Sequence, residues 1–109
     1  MWIMVSGPYR SGAKTAEQMQ RNLDEMNLAA VEVLRRGHVP VIGVNMALPM
    51  ITVTGPESFD EIMMPVSLAL ADRCDAVLRI GGPSKGADEE VEKFRAAGKP
   101  VYIAMSEIP

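Results

Sequence analysis

The segment Pro83-Ser84-Lys85-Gly86-Ala87-Asp88-Glu89-Glu90 carries the residue types and spacing best suited to chemistry in this chain. It follows an apolar run, Ala76-Val77-Leu78-Arg79-Ile80, and opens an amphipathic stretch from Val91 to Ala97. A Ser/Gly turn therefore falls at the carboxyl end of a strand, with a carboxylate one turn into the following helix. In a parallel α/β sheet, ligands bind at that edge. Backbone N–H groups at the helix start can hold an anion, and Glu90 can serve as nucleophile or base on whatever the anion anchors. A plainer reading stands beside this one. Ser84 and Gly86 suit ordinary turns and caps, and Asp88, Glu89, Glu90 and Glu92 at a helix start suit its dipole.

A second polar turn, Gly7-Pro8-Tyr9-Arg10-Ser11-Gly12, closes the first apolar run of residues 2–6. It is neither GxGxxG nor GxxxxGK[ST], so a dinucleotide fingerprint or P-loop is not expected. Arg10 can grip a phosphate or carboxylate bidentately, or stand solvated in its loop. Tyr9 can line a base or sugar pocket, or cover the sheet edge. His38 follows Gly37 at a helix exit and reads as structural. The chain has one His and one Cys, so no metal-ligand constellation or Ser/His/Asp set assembles, and no metal or cofactor is expected.

These turns must be placed by alternating strands and helices. From Thr15 to Arg36 the residues Met19, Leu23, Met26, Ala30, Val33 and Leu34 recur at helical spacing. Thr15 with Gln18 forms a capping box, and Gly37 stops the helix. Val39–Val44 reads as the second strand. Asn45–Pro56, with Pro49, Gly55 and Pro56, reads as the longest loop. Ser58 with Glu61 is a second capping box, opening a helix to about Arg73 that Pro65 should kink or split. Asp75–Ile80, Ala87–Ala97 and Pro100–Met105 complete the pattern as strand, helix and strand. The expected fold is α/β: a single domain, residues 1–109, with a doubly wound, Rossmann-like or flavodoxin-like parallel sheet of about four strands. Helices lie on both faces and the strand order is 2-1-3-4. That order sets the switch point between the first and third strands, so the loops Gly7–Gly12 and Gly81–Gly86 should face each other.

Composition narrows the function classes. A formal net charge of −3 and no Lys/Arg cluster beyond Arg35-Arg36 argue against a nucleic-acid polymer as partner. Nine Met and five aromatic residues imply an adaptable aliphatic core. Cys74 alone permits no internal disulfide; it reads as a small buried hydrophobe in a protein of the reducing cytoplasm. No 18-residue apolar run suggests a membrane span, and the first residues lack the basic region and length of a signal peptide.

With these residues in view, the chain resembles the nucleoside 2-deoxyribosyltransferase-like superfamily, in particular its small uncharacterised members and the related deoxynucleoside 5′-monophosphate N-glycosidases. The likeness runs through Val5-Ser6-Gly7-Pro8-Tyr9-Arg10, Arg36-Gly37-His38-Val39-Pro40, Arg73-Cys74-Asp75-Ala76-Val77, the Pro83–Glu90 segment, and Ala97-Gly98-Lys99-Pro100-Val101. Ser-x-Gly-Ala-x-x-Glu followed by Gly-Lys-Pro-Val is its specific part. The resemblance implies that Glu90 attacks the anomeric carbon of a sugar and releases the base. It also implies a 5′-phosphate held by Arg10, Ser84 and Gly86, with Gly7 and Tyr9 of the first loop completing the substrate-binding set. Two positions depart from the family pattern. Ser67 stands where relatives carry an Asp that orients or protonates the base, and Met4 stands where the N-glycosidases carry a Tyr.

The expected function is thus N-glycosidic hydrolysis or transfer on a (deoxy)nucleotide or nucleoside. The alternative is a non-catalytic module binding a nucleotide or phosphosugar with the same loops. A homodimer or higher homo-oligomer is expected, because 48% hydrophobic residues in a short chain exceed what a small core hides. In such an assembly the Asn45–Pro56 loop is placed over a neighbour's pocket. Glu90 should sit in the pocket near Tyr9 or Ser6 while Glu89 and Glu92 face solvent. Burial and acidic neighbours push its pKa up; Arg10 and the anion-site dipole push it down.

Overall fold

The alternation of apolar runs and amphipathic stretches becomes a four-stranded parallel sheet. The computed structural model describes all 109 residues. β1 (Trp2–Ser6), β2 (Val39–Val41), β3 (Ala76–Arg79) and β4 (Val101–Tyr102) pair in the expected order 2-1-3-4. β1 and β3 are the central pair, running in register from Ile3 opposite Ala76 to Ser6 opposite Arg79. The crossovers are α1 (Ala16–Arg35), α2 (Gly43–Thr54), α3 (Phe59–Arg73) and α4 (Lys85–Ala96).

Because side chains alternate along a strand, β1 and β3 are buried on both faces, as parallel strands covered by helices must be. Ile3, Val5, Ala76 and Leu78 pack with Leu23, Met26 and Val33 of α1 and with Val44, Ala47 and Ile51 of α2. Met4 and Val77 face the other way, onto Ala71 of α3 and Val91 and Phe94 of α4. Cys74 joins this smaller cluster as the expected buried hydrophobe, and burial, with Asp75 beside it, pushes its thiol up to about 11. The thiol is therefore unreactive at neutral pH.

Several boundaries differ from the sequence reading. The segment 45–56 is not a loop: most of it belongs to α2, so no free loop is available there to cover a neighbouring pocket. An interior proline costs a helix about 3 kcal/mol, yet Val44, Ala47 and Ile51 recur at helical spacing and are buried, which offsets it. β2 accordingly ends at Val41, before Gly43 opens the helix. Pro65 lies inside α3 without splitting it. Ser58 does not cap α3. The 3₁₀ turn Pro56–Ser58 runs straight into the helix and leaves Ser58 at φ −83°, ψ −4°, where capping requires extended backbone.

Thr15 does cap α1, its hydroxyl accepting the Gln18 N–H at 3.1 Å, but the Gln18 side chain reaches back to the Lys14 N–H rather than that of Thr15. Leu34, assigned to the apolar stripe of α1, is exposed. α4 begins two residues earlier than expected, at Lys85, because Ser84 is its N-cap. β3 is Ala76–Arg79 and β4 is Val101–Tyr102, both shorter than the runs Asp75–Ile80 and Pro100–Met105.

Candidate active site

β1 and β3 end side by side, and the loops that leave them meet above the sheet. The Ser11 hydroxyl donates to Ser84 Oγ at 3.3 Å, joining the first loop to the Ser84 turn. Gly81 has φ +76°, and a Cβ there would come within 2.7 Å of the Pro8 ring, so only glycine fits this approach. The facing of the two loops expected from the strand order is thus realised.

Between them and α3 lies a cavity of about 360 Å³. It is large enough for a small-molecule ligand. Gly7, Tyr9, Arg10, Ser84, Gly86 and Glu90, all six candidate residues, line it. Val44 of α2 and Phe59, Met63 and Ser67 of α3 add to the wall.

Ser84 builds the anion-binding corner. Its hydroxyl accepts the Ala87 N–H at 3.2 Å, capping α4 in extended backbone conformation. Since it also accepts from Ser11, its own proton is left for a ligand. The Lys85 and Gly86 N–H groups have no intramolecular partner, as the first N–H groups of a helix do not. Arg10 is exposed on the rim, its guanidinium 4.0 Å from the centroid of the Phe59 ring. That stacking limits its free rotation beside the cavity.

Glu90 is the buried member of its acidic cluster, 8% exposed, whereas Asp88, Glu89 and Glu92 are exposed. Helical side chains tilt toward the N-terminus of their helix, so the Glu90 carboxylate leans toward the Ser84 turn and the end of β1. There the Ser6 hydroxyl donates to Oε1 at 2.9 Å. Glu90 makes no outward ion pair; Lys93 binds Asp72 instead, at 3.0 Å. Burial pushes the Glu90 pKa up to about 7, against the Ser6 and Ser67 hydroxyls and the charge of Arg79, which pull it down. Burial thus outweighs the opposing influences, and the opposing cation is Arg79 rather than Arg10. Ser6 makes a bond of standard geometry, while Ser67 faces the carboxylate without one.

Ser67 is 1% exposed on the cavity wall. A Cβ on Gly43 would fall 2.1 Å from its Oγ, so α2 can start this close to α3 only with glycine there. Met4 is buried beneath the site in the smaller core cluster. Tyr9 is half-buried, its carbonyl held by Asn22 Nδ2 at 2.9 Å, and it makes no hydrogen bond to Glu90.

Arg79 was not singled out from sequence. It donates to the Ile80 and Gly82 carbonyls, the latter at 2.8 Å, and so pins the turn before Ser84. An arginine inside an otherwise apolar strand end was the available signal. No comparable signal marks Phe59 as the partner of Arg10. His38 and Cys74 lie away from the cavity lining. No group of three or more His, Cys, Asp or Glu side chains gathers where it could hold a metal ion. No helix is long and apolar enough to cross a membrane. Comparison with protein-family models and with curated proteins finds no match to either.

Proposed function

We propose that this protein hydrolyses or transfers the N-glycosidic bond of a nucleotide or nucleoside, with Glu90 as nucleophile. The observation that carries the reading is a buried carboxylate, oriented by a serine, in the wall of a ligand-sized cavity that also holds the free N–H groups of Lys85 and Gly86. The Ser-x-Gly-Ala-x-x-Glu resemblance supports it, and so does a carboxyl group poised near neutrality, as groups at reactive sites often are.

Glu90 attacks the anomeric carbon as the bond from that carbon to the base nitrogen breaks. The base departs with the bonding pair and takes a proton from water. In hydrolysis, a second water then bonds to the anomeric carbon, the ester bond to Glu90 returns its pair to the carboxylate, and the water proton is lost to solvent. In transfer, a second base takes the place of that water. The 5′-phosphate sits on the Lys85 and Gly86 N–H groups and the Ser84 hydroxyl, with Arg10 closing over it.

The test is incubation with a panel of nucleoside 5′-monophosphates and nucleosides, followed by chromatography for released base. Base release from a monophosphate is the expected result. Arg10→Ala should weaken monophosphate binding by roughly 1.5–3 kcal/mol, the scale of a hydrogen bond to a charged group, and nucleoside binding far less. Equal losses for both ligands would remove Arg10 from the phosphate site. Binding without base release from any member of the panel would leave a nucleotide-binding module built from the same loops.

We further propose that the chain acts as a homodimer or higher homo-oligomer in the cytoplasm. Leu28, Leu34, Val53 and Ile103 are each more than half exposed, and we place this apolar surface at the contact between copies. Light scattering at micromolar concentration should give at least twice the 11.8 kDa chain mass; a monomer mass would contradict the proposal.

A further inference from the structure

Ser6 closes β1 opposite Arg79, and its carbonyl accepts the Ile80 N–H at 2.9 Å, so the sheet itself fixes its position. It is 1% exposed. Its hydroxyl lies 2.9 Å from Glu90 Oε1 and 3.3 Å from the Ala87 carbonyl oxygen. A hydroxyl carries one proton, so it serves one of these acceptors at a time.

We propose that Ser6 is the positioning residue for Glu90. Its hydroxyl holds Oε1, leaving Oε2 as the attacking oxygen, and the Ala87 carbonyl accepts the Ser6 O–H hydrogen bond when Oε1 no longer does. This rests on the nucleophile reading given above and extends it to individual atoms.

The geometry accommodates both forms of the carboxyl group. With Glu90 ionised, Ser6 donates to Oε1. With Glu90 protonated on Oε1, that O–H donates to Ser6 Oγ, and Ser6 turns its own proton to Ala87. Neither state leaves the Ser6 hydroxyl or Oε1 without a partner. In the covalent intermediate Oε2 carries the sugar and Oε1 is the ester carbonyl, a weaker acceptor. As the ester bond breaks, negative charge returns to the carboxylate and the Ser6 donation strengthens. Ser6 therefore favours breakdown of the intermediate as well as the direction of attack. It supplies from the end of β1 the hydroxyl that Met4, two residues earlier, cannot.

The other charged groups around Glu90 are Arg79 from β3, Arg10 from the first loop, Asp60 from α3, and Lys85 and Glu89 from α4. α2 contributes no ionisable side chain. All of them remain in Ser6 variants, so a change in Glu90 titration reports on the hydroxyl.

The experiment is a pH titration of ¹³C-carboxyl-labelled glutamates by NMR in the native chain, Ser6→Ala and Ser6→Thr, with Glu90→Gln identifying the resonance. Losing the donor to the charged form should raise the Glu90 midpoint by roughly one pH unit in Ser6→Ala. Ser6→Thr, which keeps the hydroxyl, should restore it, and Ser6→Cys, near in volume but a weak donor, should fall between. Where base release is measured, the acidic limb of kcat/KM should move with the midpoint, and kcat should fall with KM nearly unchanged. An unchanged midpoint in Ser6→Ala overturns the Ser6 assignment and leaves the nucleophile reading standing. A raised midpoint together with no base release by the native chain keeps the Ser6–Glu90 coupling and overturns the nucleophile reading.

Discussion

Glu90→Ala should abolish turnover, with a loss on the order of 10⁴-fold or more, while nucleotide affinity and the fold persist. The carboxylate forms a bond only as the reaction proceeds, so its removal falls on kcat far more than on binding. Glu89→Ala is the matched control. Glu89 is one residue and about 100° away around α4, exposed at the cavity rim rather than bonded to Ser6. Its loss should change kcat and KM little. Steady-state kinetics of the two variants on one nucleotide, with circular dichroism to verify folding, separates a reacting carboxylate from a helix-start acid. Comparable losses in both variants would return Glu90 to the second class.

Glu90→Gln should stabilise the folded protein above neutrality and leave it nearly unchanged in acid. The folded-state pKa is about 7 against an ordinary value of 4.5. A carboxyl group whose pKa is raised on folding binds its proton more tightly in the native state. Its penalty is therefore absent below about 4.5, grows as pH rises, and is complete above about 7. That gap corresponds to about 3 kcal/mol at 1.36 kcal/mol per pH unit. The amide has no such penalty. For a chain of this length, thermal melts at pH 8 should show the variant unfolding roughly 15 degrees higher, converging with the native chain near pH 4. Parallel melting temperatures across the pH range would mean that Glu90 is not ionised at a cost in the fold.

The sheet order was legible because each strand is a short apolar run and each crossover an amphipathic one, leaving few arrangements once right-handed crossovers are required. The six site residues share one cavity because the strand order places their turns at one switch point. What local rules misread was α2. Pro49 and the absence of a capping side chain argue for a loop, and only burial against α3 and the larger core cluster makes a helix there favourable. Ser58 was misread for a related reason: the capping pattern is satisfied in sequence, but the Pro56 turn sets the wrong backbone angles.

Glu90 carried a signal in its register. Ala87, Val91 and Phe94 form the buried stripe of α4, and Glu90 falls on it where an apolar residue would ordinarily stand. Ser6 likewise is the one polar residue of an apolar strand. The bond between the two was not legible, because it depends on how deeply α4 docks against the end of β1.

Mass spectrometry of the protein after incubation with a slow 2-fluoro-sugar nucleoside or its 5′-monophosphate tests the central claim most directly. Such a compound forms the glycosyl-enzyme faster than it releases it. A single added fluorosugar on the peptide containing Glu90, absent in Glu90→Ala, is the expected result. No adduct under conditions where the same compound measurably binds would contradict a nucleophilic Glu90.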